Sequence, residues 1–427
     1  MIEYNIKEFG AIADGKTNNA AAIQAAVDAC ARNGGGRVLV CGGTFLTGTV
    51  VLKSNVELHL AADGVLLASP NREDFPEFPK RHVDVSKLSR FSGAAMIFAE
   101  ECENISITGM GKIDGNGYAY VTPCEPYHSG WSYKRNGAST LPRVVFFTGC
   151  KNVLVENVTL VNAPAGWAYW IHDCDFVHFD KAKILCPLDF PNNDGIHINS
   201  SRDVTVANCV IKTGDDCIVV RAANRSLYTP KICERITVTN CTLMSHTNAI
   251  RLGWVGDGVI RNCSFSNLTI DETRTGITVY LPTAKVAFSD NTPETCGKGG
   301  KGNNGLGASA LEATHIENIS FSNITMQNIY LSPVEIEIDP DEQTPCDCIK
   351  NIYFSHMYAQ TLGLPAIIGR RDCRVQNIRF CDCDFCQVRP EDVSYYFEAT
   401  LEELHPLTVR YAENVVFENT AFSSENL

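Results

Sequence analysis

The stretch "FPNNDGIHINSSRDVTVANCVIKTGDDCIVVRAAN", residues 190–224, carries three aspartates whose placement points to acid–base chemistry. Asp194 follows two asparagines, and Asp215 and Asp216 stand side by side between Gly214 and the apolar run Cys217–Val220. Adjacent like charges repel, and a strand entering a core has no use for either. An isolated Asp in a loop caps a turn, and an Asp–Asp corner is ordinarily solvated. Here a third carboxylate lies 21 residues upstream of Asp215, about one short repeat away. Three carboxylates within a few ångströms cannot all stay ionised cheaply, so at least one has a raised pKa. One protonated acid beside carboxylates able to activate water is what glycosidic bond cleavage needs.

The elements that must position these residues repeat. Only "TNNAAAIQAAVDACARNGGG" (17–36) reads as helix, with Thr17 or Asn18 as N-cap, periodic apolar positions and a glycine stop. From residue 37 onward short β-runs return as one phrase: polar residues ending in Asn, alternating apolar residues, Asn again, then more apolar residues. "CKNVLVENVTLVNAP" (150), "SRDVTVANCVIKTGDD" (201), "CERITVTNCTLMSH" (233) and "IENISFSNITMQNI" (316) are copies. The shorter intervals between copies are roughly 24 to 37 residues, with longer gaps where loops intervene, a period that signals a repeat architecture. Each unit is too short to bury its own apolar face, and stacking as coils lets each cover the next. The predicted fold is therefore all-β: one right-handed parallel β-helix domain spanning residues 1–427, capped by an N-terminal strand and helix within 1–36. The recurring Asn suits left-handed turns and can bond its copies in a ladder.

On such a solenoid, neighbouring coils lie about 4.8 Å apart, so a coil-by-coil alignment puts Asp194 and Asp215 on one outer face. Asp216 joins them only if the chain bends, which Gly214 would permit. Three inserts interrupt the coils, at 70–92, 117–141 and 285–310. The Tyr, Trp and His of 117–141 suggest a sugar-stacking wall, and 285–310 reads equally as a lid or as disorder.

Composition narrows the rest. The chain has 427 residues, is 44% hydrophobic and carries 36 basic against 49 acidic residues, a net charge of −13. That balance argues against nucleic-acid binding, and no apolar run is long enough to span a membrane. No signal peptide is visible at "MIEYNIKEFGAIADG", and nineteen cysteines, an odd number, read as reduced core thiols. Together these lead us to expect a cytoplasmic protein. In "CDCDFC" (381–386) period-2 spacing puts Cys381 and Cys383 on one strand face, and no usual zinc pattern is completed. No metal or cofactor is implied, and the oligomeric state stays open.

The chain resembles glycoside hydrolase family 28, the polygalacturonases and their relatives, over nearly its whole length. The resemblance runs from "IKEFGAIADGKTNNAAAIQAAVDAC" through "GKIDGNG" and "NAPAGWAYWIHDC" to the last coils. Of the family motifs N-T-D, G-D-D, G-H-G and R-I-K, the chain has N-N-D at 192–194 and G-D-D at 214–216. The resemblance implies an inverting hydrolase with Asp215 as general acid and Asp194 and Asp216 holding the attacking water. Inversion implies carboxyl groups about 6.5–9.5 Å apart. It also implies a substrate-binding His246, although "SHTNAIRLG" has lost both glycines of G-H-G. Where R-I-K is expected the chain reads "GITVYLP", with Thr278 and Tyr280 in place of the two cations that pair with the galacturonate carboxylate. Arg251 and Arg221 are the candidates to replace them, and each is equally an ordinary surface arginine.

The expected function is thus exo-cleavage of terminal sugars from pectic oligosaccharides or small plant glycosides, with a sugar other than galacturonic acid favoured. Exo-polygalacturonase is the alternative. A pectate-lyase-like enzyme would need a calcium-binding acidic cluster and an arginine base. A non-catalytic carbohydrate-binding β-helix would leave the aspartates unexplained.

Overall fold

The structure is a computed structural model that describes residues 2–77, 81–84, 87, 93–136, 142–164, 166–283, 311–340, 343–393 and 398–424. Strand pairing runs without a break from Glu3–Asn5 to Ala421–Ser424 and is parallel throughout, apart from one antiparallel hairpin. This is the expected right-handed parallel β-helix. Successive coils stack three strand positions into three parallel ladders. One begins at Glu3–Asn5 over Gly36–Val40, one at Gly43–Thr47 over Gly64–Ala68, and one at Val50–Val51 over Ala95–Glu100.

Each coil supplies alternating apolar residues to a common interior. Val153, Val177, Val204 and Ile236 follow one another in register and are essentially inaccessible. Two residues further along each strand, the column Val155, Phe179, Val206 and Val238 becomes aromatic towards the C-terminal coils. Phe265, Phe321, Phe354, Phe380 and Phe417 stack face to face, with centroids 4.8, 5.1, 4.5 and 5.0 Å apart.

The N-terminal helix spans Ala20–Arg32, and its N-cap position is Asn19 rather than Thr17 or Asn18. Asn19 instead turns its side chain to the backbone of Ile12, Thr17 and Leu46, tying the helix start to the first coils. Ile23, Ala26, Val27 and Cys30, spaced i, i+3, i+4 and i+7, are fully buried and close the open end of the stack.

The recurring asparagines do both things expected of them. Asn104, Asn152, Asn318, Asn351 and Asn377 all have φ between 55° and 57°. Their amides form ladders along the helix axis, as in Asn414→Asn377→Asn351→Asn318 at 2.8, 2.9 and 3.0 Å. Each corner therefore satisfies its side chain on its own copy one coil away.

The cysteine reading needs one correction. Twelve described cysteines are buried free thiols, but Cys346 and Cys373 form a disulfide. Cys381 and Cys383 do not share a strand face: Asp382, at φ 55°, makes a corner between the strands Val375–Cys381 and Asp384–Gln387. The insert at 285–310 lies outside the described residues. Among those described, no helix is long and apolar enough to cross a membrane.

The ladder is testable at an exposed rung. Asn318→Ala puts at φ 57° a residue that tolerates the left-handed region less well than Asn and removes two amide bonds. It should cost about 1–2 kcal/mol, while Asn318→Gly should recover the conformational part. Thermal unfolding midpoints of the two variants check this, and an unchanged midpoint for the alanine variant would refute it.

Candidate active site

The three aspartates sit where the short turns enter the third ladder. Its strands here are Tyr169–His172, Ile196–Asn199, Ile218–Arg221, Asn248–Leu252 and Thr273–Leu281. Ile196 pairs with Ile218, and Ile218 with Ile250. Counting back two residues stacks Asp194, Asp216 and Asn248, and three residues stacks Asn193, Asp215 and Thr247. The bond from Gly195 N–H to Asp216 C=O, 2.9 Å, holds the first of these rows.

This corrects the alignment expected from spacing. The coil-to-coil partner of Asp194 is Asp216, 22 residues on, and not Asp215. Asp216 faces the groove because two successive residues turn inward after it. Cys217 and Ile218 are both fully buried, as are Ala249 and Ile250 one coil later. Gly214 is needed for a reason other than turn flexibility. A Cβ there would lie 2.3 Å from the carbonyl of Phe190 and 2.6 Å from that of Leu188. Close approach of the 187–190 turn excludes any side chain at 214.

Asp215 is buried and fully engaged. Its Oδ2 accepts from Asn192 Nδ2 at 2.9 Å, and its Oδ1 accepts from Thr247 Oγ1 at 2.9 Å and from the Asp216 N–H at 3.0 Å. Asn193 holds the turn below, accepting from the N–H groups of Gly214 and Asp215 at 2.7 and 3.0 Å. Asp216 accepts from Asn248 Nδ2 at 2.5 Å, Thr247 Oγ1 at 3.0 Å and Arg251 Nη1 at 3.1 Å. Thr247 thus faces both carboxyls with one hydroxyl proton, an arrangement satisfied when one of the two carboxyls is protonated. Desolvation, then the charge of Asp216, pushes the Asp215 carboxyl up to about 6, with Arg251 pulling the other way.

Asp194 lies on the opposite side of Asp216 from Thr247. Its Oδ2 is 3.3 Å from His197 Nδ1. Burial, aided by Arg221 and Arg143, holds His197 well below the usual imidazole range, so the neutral ring donates from Nδ1. That ring stacks on Trp167 at 3.9 Å, and the Arg143 guanidinium lies over both Trp167 and Trp170 at 4.1 and 4.2 Å.

The candidate substrate-binding residues part company. Arg251 enters the site, bonded to Asp216 and 4.4 Å from the Trp254 ring. Arg221 is committed elsewhere, since it forms a bidentate pair at 2.6 and 2.8 Å with Asp257, which is fully buried. His246 shares a row with Asn192 and Gly214, and its ring packs edge-on to Tyr330, 6.4 Å away. Burial, with Asp189 and Lys212 in range, sets its proton affinity to about 4. Thr247, the next residue, is the group that touches Asp215 and Asp216.

Thr278 stands beside Arg251 in register, and Tyr280 packs edge-on against Trp254 at 6.0 Å. Neither supplies a cation. Asn192, Thr247, Asn248, Trp167, Arg143 and His197 were not singled out from sequence as site residues. Asn192 was legible in N-N-D, and Thr247 and Asn248 follow His246 directly. The roles of the others depend on packing across coils.

Two inserts wall the site. Residues 121–135 form the antiparallel hairpin, and its Trp131 is buried, donating from Nε1 to the Gly214 carbonyl at 2.6 Å. Ser132 bonds Asp189, and Arg135 bonds Asn192. Its Trp131 therefore braces the turn at Gly214 and is buried instead of offering a free stacking face. On the N-terminal side Val83 bridges Leu227 over a separate apolar cluster containing Phe98, Phe146, Trp167 and Trp170. That cluster fills the groove upstream of Asp194.

Fold and site together give a parallel β-helix with a carboxylic acid, an adjacent carboxylate and a third carboxylate along one face. Residues 78–287 match the family model of glycosyl hydrolases family 28. The match spans just under half of the chain, and over that stretch the chain is similar to the family. An exopolygalacturonase of Arabidopsis thaliana is 25% identical over 305 residues, 65% of this chain and 66% of that protein. An exo-poly-alpha-D-galacturonosidase of Dickeya chrysanthemi is 29% identical over 254 residues, 50% of this chain and 41% of that protein. The aligned region thus covers less than two thirds of either relative. The crystal structure of an exopolygalacturonase from Thermotoga maritima superposes with a TM-score of 0.69 at 20% identity, over 99% of this chain and 93% of that one, which is a likeness of fold.

The Asp215 shift carries a prediction. A carboxyl with its midpoint raised to about 6 stays protonated below that pH and ionises above it. Arg251 favours the ionised form, so Arg251→Ala should move the midpoint of the Asp215–Asp216 pair upward. Difference infrared titration of wild type against Asp215→Asn reads the carboxylate band. A midpoint near the ordinary 3.8, or a downward move in Arg251→Ala, would contradict the geometry.

Proposed function

We propose that the protein is an inverting, exo-acting glycoside hydrolase that releases terminal sugars from pectic oligosaccharides or small plant glycosides. The observation that carries this reading is the division of labour inside one pair. Asp215 is buried with its carboxyl pushed up to about 6, so it keeps its proton below that pH, while Asp216 is held by Arg251, Asn248 and Thr247. Asp215 then gives its proton to the departing glycosidic oxygen. Asp194 and Asp216, stacked on neighbouring coils, orient and deprotonate the water that attacks from the opposite face of the sugar. His197 and Trp167 keep Asp194 in place. Exo action is supported by the apolar cluster and the Val83–Leu227 bridge, which close the groove upstream of the site.

A sugar other than galacturonic acid is supported by Thr278 and Tyr280, which leave two substrate-facing positions uncharged, and by the engagement of Arg221 with Asp257. The second reading, an exo-polygalacturonase, draws on the names of the Arabidopsis and Dickeya relatives. It also draws on Arg251, whose Nε is buried and makes no hydrogen bond among the described residues. We further place the protein in the cytoplasm. Its buried free thiols favour a reducing compartment and the Cys346–Cys373 disulfide weighs against one. Recovery of the native enzyme in a secreted fraction would overturn that placement.

Asp215→Asn should abolish turnover while the folded protein persists, because it removes the transferable proton and keeps the shape. More than about a tenth of wild-type activity remaining would overturn the assignment of the acid. Product observed by NMR as it forms should carry the inverted anomeric configuration, and a retained anomer would rule out the water-first mechanism. On substrate size, short oligosaccharides should lose one terminal sugar at a time. A rapid fall in the viscosity of a pectin solution would mean mid-chain cutting and defeat the exo reading.

A further inference from the structure

Beyond the aspartates the groove floor is set by register. Outward-facing positions follow one another across the coils as Trp170, His197, Val219, Arg251, Thr278 and Glu335. The row two residues further on pairs Tyr280 with Glu337. Both positions expected to hold uronate-binding cations therefore have a glutamate beside them on the next coil. Coils are about 4.8 Å apart, which sets Glu335 about 10 Å along the floor from Arg251.

Neither glutamate is used by the fold. Glu335 and Glu337 are half-buried, and neither makes a hydrogen bond or an ion pair among the described residues. Arg274, one of the cations acting on Glu335, is turned to Glu403 in an ion pair. Burial raises both carboxyls above the ordinary range, and Glu335 adds to the rise at Glu337. Taking a carboxylate out of water without a partner is unfavourable, and the cost is recovered when donors arrive. A pyranose offers such donors as adjacent hydroxyls, two of which one carboxylate can accept. A uronate offers a second negative charge.

We propose that Glu335 determines specificity, accepting hydrogen bonds from hydroxyls of a neutral sugar bound over Thr278 beside Arg251 and repelling a uronate at the same place. This rests on reading the groove as a glycosidase cleft. Arg251 then donates to the ring or glycosidic oxygens on one side of the sugar, and Glu335 accepts on the other. Glu337, next to Tyr280, extends the negative field along the same wall.

The test separates binding from turnover. Calorimetry on Asp215→Asn would compare galactose, rhamnose and xylose with galacturonate, with and without Glu335→Gln. Turnover would be followed on aryl glycosides of the same neutral sugars and on digalacturonate. At least one neutral sugar should bind more tightly than galacturonate. Glu335→Gln should weaken its binding and raise its KM on the order of 10-fold or more, the loss of a charged acceptor, with a smaller fall in kcat. The same change, alone or with Thr278→Arg, should improve binding of galacturonate. If Glu335→Gln shifts neutral and acidic sugars alike, or if galacturonate binds wild type best, the specificity role is wrong even where hydrolysis is observed. If the binding preference depends on Glu335 but no glycoside is turned over, the specificity role stands and the hydrolase reading falls.

Discussion

The site depends on one constraint, the in-register stacking of successive coils. Asp194 and Asp216 face the same groove because Ile196 lies on Ile218, and Thr247 and Asn248 reach the acid pair because Ile218 lies on Ile250. Shifting one coil by a single residue would turn each groove-facing side chain into the core. The register is held from inside by fully buried aliphatic columns and from outside by the asparagine ladders at the corners. Neither set of residues touches the groove, yet both determine where its carboxylates lie.

Within that frame, electrostatics separates two adjacent aspartates into different states. Both are buried and both face the Thr247 hydroxyl, but only Asp216 has a cation, Arg251, as a direct partner. The loss of water, then the charge of Asp216, raise the Asp215 carboxyl to about 6, so that below that pH it holds its proton. The hairpin at 121–135 contributes indirectly by fastening the turn from above, through Trp131 on Gly214 and Arg135 on Asn192.

Much of this was legible in the sequence because repetition amplifies weak signals. One β-run is ambiguous, but repeated variants of one Asn-bearing phrase state the solenoid, and the helix face Ile23–Cys30 states its cap. N-N-D and G-D-D stood out for placing charge where an apolar strand begins. Register was harder to read, because coil length alone could not say whether Asp215 or Asp216 lies over Asp194. The answer rests on two consecutive inward residues, Cys217 and Ile218, which break strict alternation. The commitment of Arg221 to Asp257, 36 residues away, and the stacking of His197 on Trp167 are contacts between coils or loops. Trp131 misled for a related reason. An aromatic in a long insert suggests a stacking platform, yet this one is buried against a carbonyl 83 residues away.

The stacking has a consequence for how such a protein can change. The proton-handling groups lie on the coils that carry Asp194, Asp216 and Thr247, while Thr278 and Glu335 lie on the next two. In a globular enzyme these would share one packed core, and altering one would disturb the rest. Here each coil touches only its neighbours, so the coils carrying Thr278 and Glu335 form a cassette that can be exchanged or reshaped while the coils carrying the aspartates keep their own stacking. On the roles proposed for Glu335 and Asp215, selectivity and reactivity are separable units of inheritance in this architecture, joined where Arg251 lies in register with Thr278.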